Sequence, residues 1–236
     1  MIEINQPKLR YRQGENENHG IIEVEPLERG YGQTLGTAFR RVLLSSLPGT
    51  AVSSVKIDGV LHEFSSIPGI VEDVTAIILN LKKLVVHVDS ELESEPVTLR
   101  LEVKGPAKVT AADLPANPDI MVIDEDAPIC EITGDVTLGM DITFKRGRGY
   151  VLADDNESAN DSIGTILVDS QFSPVTRVMY EVSEARVGQN INYDKLTLQV
   201  WTNGSMQPAE AVEMAAKFLR SQIDLFESLK DEIVED

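Results

Sequence analysis

Gly30-Tyr31-Gly32, with Gly36 behind it, stands where a strand gives way to a helix. Glycines in that place could cradle a pyrophosphate against a helix N-terminus. The spacing falls short of the dinucleotide fingerprint, because Leu35 holds the position of the third glycine, the one that lets helix and strand pack closely. A nucleotide-binding enzyme using the Gly30 to Gly36 turn is therefore the lesser reading. No P-loop occurs anywhere, and His62-Glu63 has Ser66 where a zinc protease needs its second histidine. His19 and His87 are remote from other ligand types. Asp154 to Asp161 offers oxygen atoms but neither the glycine nor the closing glutamate of an EF-hand, so it reads as a polar loop. Asp124 and Asp126 fall at a turn, whereas a two-metal site needs paired carboxylates on a rigid element. No catalytic, cofactor-binding or metal-ligating set emerges, and no cofactor is expected.

Two further groups of residues bear on chemistry. Lys145-Arg146-Gly147-Arg148-Gly149-Tyr150 is the most basic stretch, and arginines on flexible glycine backbone can reach a polyanion. It ends a predicted strand, however, so a structural or subunit-contact loop is preferred over an RNA site built on Arg146 and Arg148. Cys130 is the only cysteine and lies in the apolar run Ala127 to Ile132, where a buried strand thiol is expected and no disulfide can form within the chain.

Positioning falls to a helix over residues 34–47. Thr34 can cap its first amides, and Pro48-Gly49 cannot continue it. At about 100° per residue, Leu35, Ala38, Phe39, Val42, Leu43 and Ser46 share a face suited to a core. Leu44 and Leu47 project from the opposite side beside Arg40, with Arg41 on the flank. Either a second partner or the chain's own second domain would cover that side. Downstream, Ile21 to Glu25, Ala51 to Ile57 and Pro96 to Val103 have strand patterns, and Ile70 to Lys82 a helical one with Val71, Val74, Ile77, Ile78 and Leu81 on a stripe. Short strands follow at Asp119 to Ile123, Pro128 to Ile132 and Asp135 to Phe144, then longer ones at Val175 to Val187 and Leu196 to Trp201. A long helix opens at Pro208 and runs to about Lys230, with Val212, Ala215, Leu219, Gln222, Phe226 and Leu229 at heptad-like spacing.

Composition sets the bounds. With 42% hydrophobic and 25% charged residues, 236 residues can bury a real core. The formal charge of −18 argues against free-standing nucleic-acid binding, since phosphate affinity is carried by Lys and Arg. The start lacks a basic and apolar leader, and no window approaches the roughly 18 apolar residues of a membrane helix. A cytoplasmic protein with no membrane partner is expected, and the sequons at Asn160 and Asn203 are then accidental.

Glu25-Pro26-Leu27-Glu28-Arg29-Gly30-Tyr31-Gly32, Thr34-Leu35-Gly36 and Phe39-Arg40-Arg41-Val42-Leu43-Leu44-Ser45-Ser46 resemble the amino-terminal domain of the bacterial RNA polymerase alpha subunit. Ile57 to Ser65, Val71 to Val74, Ile78 to Lys82, Arg146 to Tyr150, Leu167 to Asp169, Phe172 to Val175 and Thr202 to Gly204 continue the likeness in the family's order. The resemblance implies an α+β fold: a discontinuous dimerisation domain over 1–48 and 174–236, its sheet packed by two long helices, with an inserted strand-rich domain over 49–173. It also implies a non-catalytic scaffold of DNA-directed RNA polymerase that forms a homodimer and recruits the beta and beta prime subunits. Carried over residue by residue, Arg40, Arg41 and Leu44 fall at the beta contact. Lys82 and Val168 fall at the beta-prime contact. Phe39, Val42, Leu219, Phe226 and Leu229 fall in the core or at the dimer seam, with Gln222 as the seam's polar position. The family's DNA-binding carboxy-terminal domain has no counterpart before Asp236, so DNA contact is attributed to that part.

Overall fold

The computed structural model describes residues 6–88, 96–156, 162–188 and 190–227. In chain order these form β1 (Lys8–Gln13), β2 (His19–Glu28), α1 (Tyr31–Ser45), β3 (Pro48–Ile57), α2 (Val74–Leu81), β4 (Val86–Val88), β5 (Val97–Lys104), β6 (Ala107–Thr110) and β7 (Ile120–Val122). There follow β8 (Pro128–Ile132), β9 (Thr137–Arg148), β10 (Tyr150–Val151), β11 (Thr165–Leu167), β12 (Ser170–Gln171), β13 (Val175–Val187), β14 (Asn190–Thr202) and α3 (Pro208–Glu227). The class is mixed α+β, with strands dominant. No helix among the described residues is long and apolar enough to cross a membrane. The chain divides into two compact units, one running to Leu47 and resuming at Pro174, the other from Pro48 to Ser173.

The first unit is an antiparallel sheet in the order β1-β2-β14-β13, with α1 and α3 packed on one face. Period-two alternation supplies that face. Ile22, Val178, Leu198 and Val200 point toward the helices and meet Val42, Leu43, Leu47, Ala211 and Ala215 in one apolar cluster. Each fully buried Leu or Val contributes about 1.5–3 kcal/mol relative to exposure. The opposite face carries His19, stacked on Trp201 at 4.2 Å, with the Arg177 guanidinium 4.7 Å from the Trp201 ring centre.

Two details of α1 differ from the sequence reading. The helix begins at Tyr31, three residues before Thr34, behind Gly30 at φ 91°. Thr34 is inside the first turn, where its hydroxyl donates to Gly30 O at 3.2 Å. The cap comes from far along the chain instead, as described below. Leu47 is also not on the outer side, being 1% exposed within the core, because the chain turns into β3 immediately after the helix and swings it inward.

The second unit holds a sheet in the order β11-β3-β9-β5 and three two-stranded pairs, β4-β7, β6-β8 and β10-β12. Its core includes Ile77, Leu81, Leu101, Ile129, Ile132, Met140, Ile142 and Phe144. Helix α2 starts later than the hydrophobic stripe predicts. Asp73 accepts from Ala76 N at 2.7 Å and caps the helix at Val74. The preceding residues are held elsewhere: Val71 N donates to Glu131 O at 3.0 Å, and Val71 is exposed. Cys130 is buried in β8, and burial, then the charges of Glu72 and Asp113, pushes its thiol up to about 12.

Candidate functional site

The outer side of α1 can be built up from the residues that fix the helix. Gly30 N and Gly32 N both donate to Asp194 Oδ2 of β14, at 2.8 and 3.1 Å. An anionic side chain thus satisfies orphan amides at the helix's positive end. Along the helix, a Cβ on Gly36 would lie 2.5 Å from the Tyr180 ring of β13, so only glycine permits this approach. The Tyr180 hydroxyl in turn bonds Gln33 Nε2 at 2.8 Å and Thr37 Oγ1 at 3.0 Å. Asp194 therefore sets where the helix starts, and Tyr180 sets its rotation.

With rotation fixed, Arg40, Arg41 and Leu44 are brought together on the side away from the sheet, all exposed. Leu44 follows Arg40 by four residues and Arg41 by three, so the three share one patch. Two guanidinium forks beside an apolar side chain suit a protein surface carrying carboxylates or backbone carbonyls around a pocket.

Helix α3 carries a second uncovered surface. Its first half is embedded, with Pro208, Ala211 and Ala215 buried and Val212, Met214, Phe218 and Leu219 packed at the margin of the core. Beyond Leu219 nothing among the described residues of the unit covers it: Gln222 is exposed, Ile223 is 62% exposed and Phe226 72%. Leu219, Gln222, Ile223 and Phe226 follow i, i+3, i+4, i+7 spacing, a single stripe. Phe39 is half-buried at the same core margin, and Val42 is 7% exposed inside that core. Leu229 and the helix's end near Lys230 lie outside the described residues.

In the second unit, Lys82 Nζ meets Asp169 Oδ2 at 3.1 Å, both side chains about one-third exposed. Asp169 also accepts from Ala153 N at 2.9 Å. That backbone bond, then Lys82 and the Tyr150 hydroxyl, holds the carboxyl below its ordinary range, and the Tyr150 phenol is raised by the same contact. Val168 lies beside this cluster in sequence but is 2% exposed in the core, so its side chain is removed from any contact surface. The missed members are Asp169 and Tyr150, and the missed positioning groups of α1 are Asp194 and Tyr180. Asp169 and Tyr150 each end a motif of the resemblance, whereas Tyr180 is marked only by the strand pattern of Val175 to Val187 and Asp194 by nothing.

Two other expectations meet geometry here. The amide donors at Gly30 and Gly32 are spent on a carboxylate, which occupies the place a phosphate would need and counts against the nucleotide reading. Arg146 and Arg148 do not sit on a flexible loop: β9 runs to Arg148 and pairs Arg146 with Thr50 and Arg148 with Pro48. Gly147 between them lies under the Phe172 ring, 2.6 Å from where a Cβ would stand.

Comparison with known proteins follows the same lines. A family described as RNA polymerase Rpb3/RpoA insert domain matches residues 55–173. The DNA-directed RNA polymerase subunit alpha of Alkaliphilus metalliredigens (strain QYMF) is 49% identical over 234 residues, covering 99% of this chain and 73% of that protein.

Proposed function

From this chain's membership of the DNA-directed RNA polymerase alpha subunit family, we propose that it is the non-catalytic assembly scaffold of a cytoplasmic polymerase. Two copies pair through the uncovered stripe of α3, with Leu219, Gln222 and Phe226 in the seam and Phe39 at its margin. The Arg40, Arg41 and Leu44 patch takes the beta subunit, and Lys82 with its Asp169 partner takes beta prime. A twofold dimer presents each surface twice, so two unlike large subunits must each use one copy.

The observation that carries this reading is the exposure of Ile223 and Phe226 on a rigid helix whose other half is embedded in a core. Burying such a stripe against a twofold mate is the arrangement that removes it from water, and Gln222 in its middle can fix the register between identical helices. DNA contact is assigned to a carboxy-terminal domain of the family and not to these residues.

The test is co-expression with the beta and beta prime subunits, pulling on a tag on this chain. Wild type should retain beta, while Arg41→Ala should lose most of it and remain dimeric by sedimentation. Phe226→Ser should weaken the dimer itself. Wild type that retains neither large subunit refutes the scaffold role. An Arg41→Ala variant that falls apart as a dimer moves Arg41 from the beta contact to the seam.

A further inference from the structure

The two outer strands of the β1-β2-β14-β13 sheet are finished differently. Along β13 the pairing slips between Val175 and Arg177 and again between Ala185 and Val187. Such bulges twist an edge away from a would-be neighbour. Helix α1 also lies against this strand, with Tyr180 and Val182 under Gly36 and Gly32. Among the described residues, strand β1 has neither protection. Its residues pair with β2 in unbroken register from Lys8↔Glu25 to Gln13↔Gly20, and every one of them is exposed. A regular, uncovered edge offers its outward backbone donors and acceptors to an added strand.

Alternation sorts the side chains of β1 onto two faces. Lys8, Arg10 and Arg12 share the face away from the helices. Leu9 and Tyr11 share the other, where the Tyr11 ring and Pro208 flank Gly20, and they are 67% and 45% exposed. The arginines are only loosely held by the neighbouring strand: Arg10 is 3.7 Å from Glu25 and Arg12 is 3.9 Å from Glu23, beyond hydrogen-bond range. Lys195 takes Glu23 more closely, at 3.1 Å. The guanidinium donors of β1 are therefore largely unspent, in a chain whose formal charge is −18.

We propose that the free edge of β1 docks an extended segment of a protein partner in which acidic side chains alternate with apolar ones. Adding alongside β1, such a segment sets its carboxylates on Lys8, Arg10 and Arg12 and its apolar side chains on Leu9 and Tyr11, while its backbone extends the ladder. The cations select as well as attract, because a basic strand meets repulsion and a neutral one leaves them uncompensated. This surface uses none of the α1, α3 or Lys82 residues above, and does not depend on which subunits they bind.

The probe is a blocked peptide alternating glutamate and valine over about nine positions, added to the full chain at low salt. Binding read by fluorescence anisotropy should weaken as salt is added, and backbone amide exchange should slow within Lys8–Gln13 and not within β13. The double variant R10E/R12E should bind about tenfold more weakly and prefer the lysine-valine counterpart. Because that reversal also disturbs Glu23 and Glu25, Leu9→Thr with Tyr11→Thr on the opposite face gives a second arm. It should weaken the peptide too, at an unchanged melting temperature. The proposal is overturned if exchange slows only outside β1, if wild type binds both peptides equally, or if single-stranded oligothymidine binds more tightly than the acidic peptide.

Discussion

Asp194 caps a helix whose start lies more than 160 positions earlier in the chain, with two amide bonds to one carboxylate oxygen. Removing a side-chain cap costs about 0.5–2 kcal/mol, and here two donors lose their partner at once. Asp194→Ala is expected to fall in the upper half of that range, read as a lower urea midpoint with an unchanged slope, while Asp194→Asn keeps an acceptor and loses less. An alanine variant as stable as wild type would mean that water serves those amides equally well. Asp169 makes a prediction in pH. Its folded-state pKa is lowered by Ala153 N, Lys82 and Tyr150, so its contribution is fully present above the unfolded value of about 3.9 and is lost as pH falls through the folded value. Asp169→Asn should therefore be less stable than wild type at neutral pH, and the gap should close on acidification below that window. Asp58 and Glu23 are lowered too, but they are common to both proteins and cancel in the difference. A gap that stays constant with pH would show that the asparagine acts through packing and not through charge.

At the scale of elements, the contact of α1 with β13 turns on Gly36. Alanine in a helix interior is favoured over glycine by about 1 kcal/mol, whereas overpacking costs about 1–3 kcal/mol. The ring that a new Cβ would strike cannot swing aside without breaking the Tyr180 hydroxyl's bonds to Gln33 and Thr37. The clash should win, so Gly36→Ala is expected to lower stability by about 1 kcal/mol in chemical denaturation, and Gly36→Ala with Tyr180→Phe by less than the sum of the two changes. A stabilised Gly36→Ala would show that the ring gives way freely. The same residues mark what was legible in the sequence. The period of 3.6 revealed the inner face of α1, and the period of two revealed β3, β5 and β13. Those signals are local, and what escaped was long-range: Asp194 stands beside an ordinary tyrosine and lysine, with nothing to say that it would meet Gly30. Val71 matched the helical stripe, yet Asp73 and the bond to Glu131 O set a later start. Leu47 is placed outward by the helical period, which does not know what the following turn does, whereas Val42 and Val168 take their contact roles from the resemblance and lie buried in their own cores. The outward side of Leu44 follows from the helical period and its partner from the resemblance alone, and its patch with Arg41 is exposed.

At the scale of the whole molecule, one chain holds two cores. The unit from Pro48 to Ser173 has an apolar cluster made wholly from its own residues. Its ends also come together: Gly49 pairs with Gly147, and Phe172 covers the same Gly147 from above. A segment with adjacent ends and its own core can be cut out without stretching either strand or loop. We expect residues 48–173 expressed alone to fold, with a cooperative calorimetric transition and the amide exchange of β3 and β9 protected as in the full chain. The complementary piece, with Leu47 joined to Pro174 through a short glycine linker, should keep its four-stranded sheet, since among the described residues its strands pair only with one another. It should also keep the α3 stripe and hence the proposed dimer, while losing the Lys82 surface. Calorimetry of the full chain decides how far the two are coupled: two transitions at the temperatures of the separate pieces mean independent units. One sharp transition above both would mean that each core leans on the other, and an excised 48–173 without cooperative unfolding would refute the claim that its core is sufficient.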